Sequence, residues 1–424
     1  MICGTVAHWS YLKRAVDGEL TRRLAANGAV LIEGPKACGK TETARRQAAS
    51  EVLLDIDLAA REAAAIDPGL VLDGPVPRLI DEWQTVAPMW NRVRREVDAR
   101  KQPGQFILTG SATPADDLTR HTGAGRFGRV RMRPMSLFEA GTSTGAVSLA
   151  DVMTEAPTAT QDPGLTVRDL IEEAARGGWP GLRALAVADA AQAVRDYLEQ
   201  ISRTDISTVD GVRRDPARVL TVLRSLARHT ATQATLKRLA QDSDVPEAGV
   251  ASYETVSSYL VALERLMIVE NVPAWNTHLR SSHQLRTSPT RHFVDPSLAV
   301  AALRATPDTL LADLNFFGLL FESLVVRDLR VYAQALDGAV YHYRDQTGLE
   351  VDAIVDMGES WGAFEIKLGT NRIDEAAARL ATFAGRIDTT KRGPAAVLAV
   401  IVGTGYGYVR PDGIHVIPIG ALGP

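Results

Sequence analysis

Cysteine is scarce in this chain. Cys3 and Cys38 are the two present in 424 residues. They are too few for a disulfide framework or a four-cysteine zinc site, so a reducing, cytoplasmic setting is the simplest expectation. Long apolar runs are missing as well. No stretch approaches about eighteen uninterrupted apolar residues, so no membrane span is expected, and the N-terminus shows no signal-peptide core. An excess of positive charge is also lacking. The net charge of −4 and pI near 6.1 exclude a polycation, so any nucleic-acid surface must be local. What remains is a composition of 46% hydrophobic and 23% charged residues, which suits a globular protein. At 424 residues the chain is too long for one core, and about two to four domains are expected.

One stretch organises the rest. Val30-Leu-Ile-Glu reads as a short buried strand, and Gly34-Pro-Lys-Ala-Cys-Gly-Lys-Thr41 follows it into the start of a helix. The pattern is G-x-x-x-x-G-K-[ST]. Gly34 and Gly39 let the backbone curl so that successive N–H groups of Pro35 through Thr41 and Glu42 surround an anion, proline excepted. The helix beginning near Lys40 adds the positive end of its dipole. In this pattern Lys40 reaches the β- and γ-phosphates of a nucleotide and the Thr41 hydroxyl ligates Mg²⁺. The loop residues Gly34, Pro35, Lys36, Ala37, Cys38, Gly39, Lys40, Thr41 and Glu42 are therefore the candidate ATP-binding set.

Further strands come in the order of an open parallel sheet. Residues 9–26 read as a helix beside the first strand, residues 52–57 as a second strand, and residues 58–66 as a helix. Pro77-Arg-Leu-Ile-Asp-Glu-Trp-Gln84 is an apolar strand ending in two acids. At the carboxyl end of such a strand, Asp81 can hold Mg²⁺ and Glu82 can polarise the attacking water. Residues 86–100 suggest a helix. Residues 105–111 form another strand, ending in Ser111, a candidate γ-phosphate sensor. Arg126 stands on the Gly-rich segment Gly123-Ala-Gly-Arg-Phe-Gly-Arg129 and can act as an arginine finger, in cis or from a neighbouring subunit.

These motifs together, with Leu108-Thr-Gly-Ser111 and Arg133-Pro-Met-Ser-Leu137, resemble the prokaryotic AAA-type ATPases that carry a C-terminal domain of unknown function. The resemblance covers most of the chain. It implies that Lys40 and Thr41 bind nucleotide and Mg²⁺, that Asp81 and Glu82 are the Walker B pair, and that Arg126 is the charge-sensing arginine. Cys38 and Trp83 depart from the family pattern, and neither removes a catalytic group.

Beyond the nucleotide module, residues 142–165 are small and polar and read as a linker or surface loop. Gly177-Gly-Trp-Pro-Gly181 breaks a helix, and residues 187–204 form another, as in a helical lid. Between residues 215 and 300 the order helix, short helix, break, longer helix, strand is that of a winged helix-turn-helix, with residues 253–266 in the recognition position. Residues 271–294 contain no acid and carry His278, Arg280, His283, Arg286, Arg291 and His292, a set able to contact DNA phosphates.

The last part predicts an acidic helix over residues 310–329 bearing Glu322, then strand-like runs over 339–344, 349–355 and 361–367. Alternation puts Glu365 and Lys367 on one face and Phe364 and Ile366 on the other, and Asp352 meets Glu365 from the adjacent strand. Carboxylates so paired can bind a second metal, with Lys367 beside them. The constellation resembles a restriction-endonuclease-like core. The expected organisation is α/β: a parallel-sheet P-loop NTPase domain over 1–141, a linker and helical lid over 142–210, a winged-helix-like part over 211–304, and an α+β restriction-endonuclease-like domain over 305–424. The expected function is a Mg²⁺-dependent ATPase acting on DNA, in a homo-oligomer if Arg126 works in trans. The alternative is a regulatory ATP switch whose C-terminal domain binds partners without cleaving nucleic acid.

Overall fold

The computed structural model describes residues 11–110, 123–154, 158–243, 253–276 and 288–424. Helix α1 (Val16–Ala26) buries Val16, Leu20 and Leu24, the residues whose spacing predicts a helix. It starts later than residue 9, because the backbone ahead of it is held by side chains. Arg14 N donates to Asp17 (3.0 Å) and Ala15 N to Glu139 (2.7 Å). Strand β1 (Ala29–Glu33), α2 (Lys40–Arg45), β2 (Ser50–Leu53), α3 (Leu58–Ile66), β3 (Arg78–Asp81), α4 (Met89–Arg100), β4 (Phe106–Gly110) and β5 (Phe127–Arg131) complete the first unit. The strands form a parallel sheet in the order β2-β3-β4-β1-β5. Strands β1 and β4 are interior and buried on both faces, which is why they read as uninterrupted apolar runs.

Residues 142–165 are not the plain linker that their composition suggests. They contain β6 (Val147–Ser148) and α5 (Leu149–Val152), with Leu149 and Val152 buried. Next come α6 (Val167–Arg176) and α7 (Val187–Gln200), the latter running into a π-helical turn, Ile201–Asp205, and α8 (Ile206–Thr208). Helices α9 (Pro216–Arg228), α10 (Leu236–Gln241) and α11 (Tyr253–Arg265) pack on one another. The fully buried α12 (Pro296–Ala302) lies against α6, α7 and α9. The expected lid and the expected three-helix unit therefore share one core. Antiparallel bridges Val269–Phe293 and Val272–Thr290 come after α11.

Short helix α13 (Pro307–Ala312) leads to the long α14 (Leu314–Ala335). Then come β7 (Ala339–Arg344), β8 (Glu350–Asp356), β9 (Trp361–Lys367), α15 (Ile373–Ala384), β10 (Val397–Val402), β11 (Tyr408–Val409), β12 (His415–Pro418) and β13 (Leu422–Gly423). The second sheet runs β11-β12-β10-β9-β8-β7. Its β7–β8 and β8–β9 pairs are antiparallel, while β9–β10 and β10–β12 are parallel. Phe364 and Ile366 join the core that contains α14, and Ala363 joins the core that contains α15. The two helices thus cover opposite faces, and the predicted alternation along β9 holds. Strand β13 pairs with β6, and Ser143 and Ser148 donate to Leu422 O and Pro424 O (both 2.7 Å). The tail fixes the supposed linker through a contact some 275 residues distant in sequence.

Two members of the expected phosphate-contacting set are turned inward. Arg291 is 9% exposed and donates to Ala234 O, and His292 is 2% exposed beside Ser323 Oγ (2.9 Å). The bridged segment that carries them turns both side chains toward the interior of the fold. His278, Arg280, His283 and Arg286 lie outside the described residues. Burial, then the charges of Arg330 and His342, push His292 down to about 3. An unfolded histidine titrates near 6.5. Between those values the unfolded chain binds a proton that the folded chain refuses. Stability is therefore full above pH 6.5 and falls as pH drops toward 3, by up to about 1.4 kcal/mol per pH unit. Melting temperatures measured between pH 7 and 5 should fall more steeply for the wild type than for His292→Gln, whatever the variant's absolute stability.

Candidate active site

Strand β1 delivers the chain into the loop at the carboxyl edge of the sheet. Gly34 has no room for a side chain: an added Cβ would lie 2.3 Å from Met132 O and 2.9 Å from Cys38 Sγ. Ala37 (φ 62°) and Gly39 (φ 102°) take left-handed conformations, which turn the loop back to start α2. Lys40 is 6% exposed, and its ammonium donates to Gly34 O (3.0 Å) and Pro35 O (2.9 Å), lying within the curl. Cys38 is fully buried with Sγ toward Met132 O (3.8 Å), which fits a small filler against the sheet.

Helix α2 meets the end of β3 through one contact. The Thr41 hydroxyl lies 3.0 and 3.2 Å from the two oxygens of Asp81. Asp81 is 7% exposed and also accepts from Thr109 on β4. A hydroxyl and a carboxylate converging there are hard oxygen donors of the kind Mg²⁺ takes, so these residues fit that ion. Among the described residues no group of three or more His, Cys, Asp or Glu side chains is arranged to hold a metal unaided. Glu82 comes next, in the left-handed region (φ 48°), an uncommon conformation for glutamate. Its carboxylate accepts from Gln84 Nε2. Trp83 is buried in contact with Trp90 (5.3 Å between ring centroids), which in turn stacks on Phe127 (4.0 Å). The family departure at Trp83 is thus an aromatic core and leaves both acids in place.

Ser111 lies outside the described residues. Arg126 is at the other edge of the sheet. Its carbonyl accepts from Ala29 N, at the start of β1, and its guanidinium pairs with Asp98 (2.9 Å). Strand β1 alone separates it from the loop by about 13 Å. The parallel connection puts Arg126 at the amino edge, away from the loop of its own chain.

A cavity of about 540 Å³ opens beside α2, lined by Tyr11, Leu12, Gly39, Thr43, Arg46 and Pro180 among others. Tyr11 donates to Asp17 (2.6 Å) and contacts Thr43 (3.0 Å), and Arg46 sits over its ring. Glu42, predicted to line the nucleotide, borders this cavity and pairs with Arg45 (2.6 Å). Sequence reasoning missed Arg14, which bonds Cys38 O (2.8 Å) and Glu139 (3.1 Å) from inside the protein. It also missed Asp205, which binds the Lys36 ammonium at 2.7 Å. Neither lies in a motif, so no local signal marked them.

The acidic residues of the C-terminal part do come together. The β8–β9 register pairs Ala353 with Phe364, which sets Asp352 opposite Glu365 at the next position. Lys367 Nζ lies 3.0 Å from Asp352 and 2.6 Å from Glu365. Glu322 and Asp352 share a cavity of about 310 Å³, bordered by Thr232 and Gln233 from the α9–α10 connection. Burial, then the Asp352 charge, push both Glu322 and Glu365 up, with Lys367 acting against them. The Lys367 ammonium lies between the two carboxylates. The residues expected of a second metal site thus form a lysine-bridged acid cluster.

Residues 26–141 match a family model described as an AAA domain. Residues 167–309 and 317–422 match models of two domains of unknown function, DUF8612 and DUF4143. Uncharacterized proteins of Mycobacterium bovis and Mycobacterium tuberculosis are each 27% identical to this chain over 365 residues, covering 84% of it and 74% of their own length. A Walker-type ATPase of Pyrococcus abyssi superposes over 69% of this chain and 96% of its own with a TM-score of 0.40 and 13% identity, a likeness too remote to carry an argument. Among the described residues no helix is long and apolar enough to cross a membrane. The chain carries a recognisable AAA-type P-loop ATPase domain, an ATP-binding module consistent with ATPase activity.

Proposed function

We propose that the protein hydrolyses ATP with Mg²⁺ at the edge formed by β1, α2 and β3, and that the helical and C-terminal parts respond to the nucleotide. The observation that carries this reading is the Thr41–Asp81 contact with Glu82 next in sequence. It joins the loop that would hold the phosphates to the acids that would act on them. The loop amides and the α2 N-terminus bind phosphate oxygens. Lys40 exchanges its bonds to Gly34 O and Pro35 O for bonds to the β- and γ-phosphates. The cavity beside Tyr11 and Arg46 suits an apolar base with polar edges. Thr41 and Asp81 would hold the Mg²⁺, which neutralises charge developing on the phosphates. Glu82, once released from Gln84, orients water and takes its proton. Arg126 is proposed to serve a second copy of the chain.

A second reading has one observation in its favour. The order α14-β7-β8-β9-α15-β10, with Glu322, Asp352, Glu365 and Lys367 gathered on it, supports a restriction-endonuclease-like core acting on nucleic acid. Clusters of carboxylates perturbed by burial and like charge mark functional sites more often than chance. The regulatory alternative keeps the same ATP chemistry and gives the acid cluster a structural role only.

Lys40→Ala should abolish the ATP-dependent rise in melting temperature, since only the binding-competent fold is stabilised by ligand. Glu82→Gln should keep that rise and lose turnover by about a hundredfold or more. A Glu82→Gln enzyme with wild-type turnover would remove Glu82 from the chemistry. Gly34→Ala should lose nucleotide binding while remaining folded, at a cost of about 1–3 kcal/mol for the added methyl group. For the second reading, nicking of supercoiled plasmid in divalent-cation buffer should appear in the wild type and vanish in Asp352→Asn. Nicking by both proteins alike, or by neither, leaves the regulatory alternative.

A further inference from the structure

The phosphate-loop lysine that the ATP chemistry does not use is tied to the helical part. Lys36 is the third residue of the motif beginning at Gly34, and its ammonium lies 2.7 Å from Asp205 Oδ1. The two ends of this pair differ. The Lys36 side chain is 49% exposed, whereas that of Asp205 is 7% exposed. Asp205 closes the π-helical turn Ile201–Asp205, which joins α7 to α8. A π turn carries one residue more than an α turn, so it rotates the next helical segment by about 100° relative to an uninterrupted helix. Here the side chain at its end meets the loop. The same helix touches the loop again: the Tyr197 hydroxyl donates to Lys36 O (3.4 Å), and Tyr197 packs on Trp179 (5.0 Å between centroids). Upstream, Val194, Leu198 and Ile201 are held in the core, and downstream Arg214 fixes Ile206 O (3.0 Å) and Asp210 (2.7 Å). The short span between these anchors carries Asp205 and packs on α9.

We propose that Asp205 is the positioning residue through which the helical part reads the phosphates of the nucleotide. This rests on the ATP-binding reading above. A triphosphate in the loop brings several negative charges beside Lys36 and competes with Asp205 for its ammonium. It also repels the Asp205 carboxylate, which has little water around it to screen the charge. Losing Lys36 leaves that carboxylate buried without its ion-pair partner, an expensive state. The span relieves it by turning Asp205 outward, which opens backbone bonds of the π turn. The terminal phosphate is the stronger competitor, so ATP and ADP differ in the position they set for α8 and the α9 bundle behind it.

The test compares full-length wild type with Asp205→Asn, and with Lys36→Gln in case the first variant folds poorly. Hydrogen exchange of peptides spanning residues 197–209 and affinity for a fluorescent, non-hydrolysable ATP analogue are both measured. In the wild type the analogue should speed exchange of residues 201–209, and ADP should do so less. In Asp205→Asn those amides should exchange fast from the start and respond little to nucleotide, while the analogue binds about threefold to tenfold tighter. Lys36→Gln should show the same fast exchange without the gain in affinity. Equal nucleotide responses in wild type and both variants, with unchanged affinity in Asp205→Asn, overturn the proposal and leave ATP binding standing. A wild type that binds no nucleotide, shown by the absence of any melting shift, overturns both.

Discussion

The structure depends on a set of buried carboxylates that hold backbone from other parts of the chain. Residues 133–139 are their meeting point. Glu139 accepts from Arg14 and from the backbone N–H of Ala15 and Ser136. Asp328, on α14, accepts from Leu137 N at 2.9 Å and from Arg327, which also pairs with Asp295 at 2.8 Å. Asp295 in turn accepts from Gly178 N at 3.0 Å. Charges this deep are costly unless every oxygen is used. Burial raises the Asp328 carboxyl to about 6 even against Arg327. Such groups add little net stability but tolerate no other arrangement. Gly178 shows how close the fit is, since a Cβ there would lie 2.2 Å from Met135 O. The stretch Arg133-Pro-Met-Ser-Leu137, a family mark in the sequence, is therefore the joint of the molecule. Met132, directly before it, lines the phosphate loop at Gly34 and Cys38.

A second charged cluster works beside the first. Glu270 sits among Arg133 (2.6 Å), Arg131 (3.3 Å) and Arg330 (3.5 Å). Their charges hold its carboxyl well below the usual range despite complete burial. Arg131 ends β5 of the ATPase sheet and Arg133 lies just beyond it, Glu270 comes after α11, and Arg330 belongs to α14. One acid thus gathers three segments that are distant in sequence. Together with Asp205 on Lys36, these contacts tie the helical and C-terminal parts to the nucleotide module through buried carboxylates.

What the sequence makes legible is local. The phosphate loop is contiguous, and its glycines, lysine and threonine have fixed roles. The bounds expected for residues 58–66, 339–344 and 361–367 hold, because local composition and apolar patterning mark them. The facing of Asp352 and Glu365 comes from alternation on a hairpin. What stays hidden is everything decided at long range. The β6–β13 pair joins residues 147–148 to 422–423, and a polar, Pro-containing composition conceals it. Arg291 and His292 look like a basic surface because burial leaves no trace in residue type. Arg126 looks available to the loop because the motif gives its residue type but not the end of the strand at which it stands. The Lys367 bridge between the acids is the same case: E-x-K gives the residues but not the position of the ammonium.

The position of Arg126 has a geometric consequence. The loop, Asp81 and Glu82 share the carboxyl edge of the first sheet, while Arg126 and Asp98 stand at its amino edge. A contact in which Arg126 reaches another chain's phosphates uses two different surfaces of the same molecule. Around a two-fold axis it would occur twice, Arg126 of each copy reaching the loop of the other; without such an axis it is heterologous. Repetition of such a contact gives a ring if the rotation closes and a filament if it does not. Within either assembly Arg126 must first leave Asp98. That pair is solvent-exposed, 42% on each side, and exposed pairs of this kind are held by about 1 kcal/mol or less. Transition-state charge on a neighbouring phosphate is a far stronger attraction than that. The resting pair with Asp98 is thus compatible with an arginine kept in reserve for a neighbour.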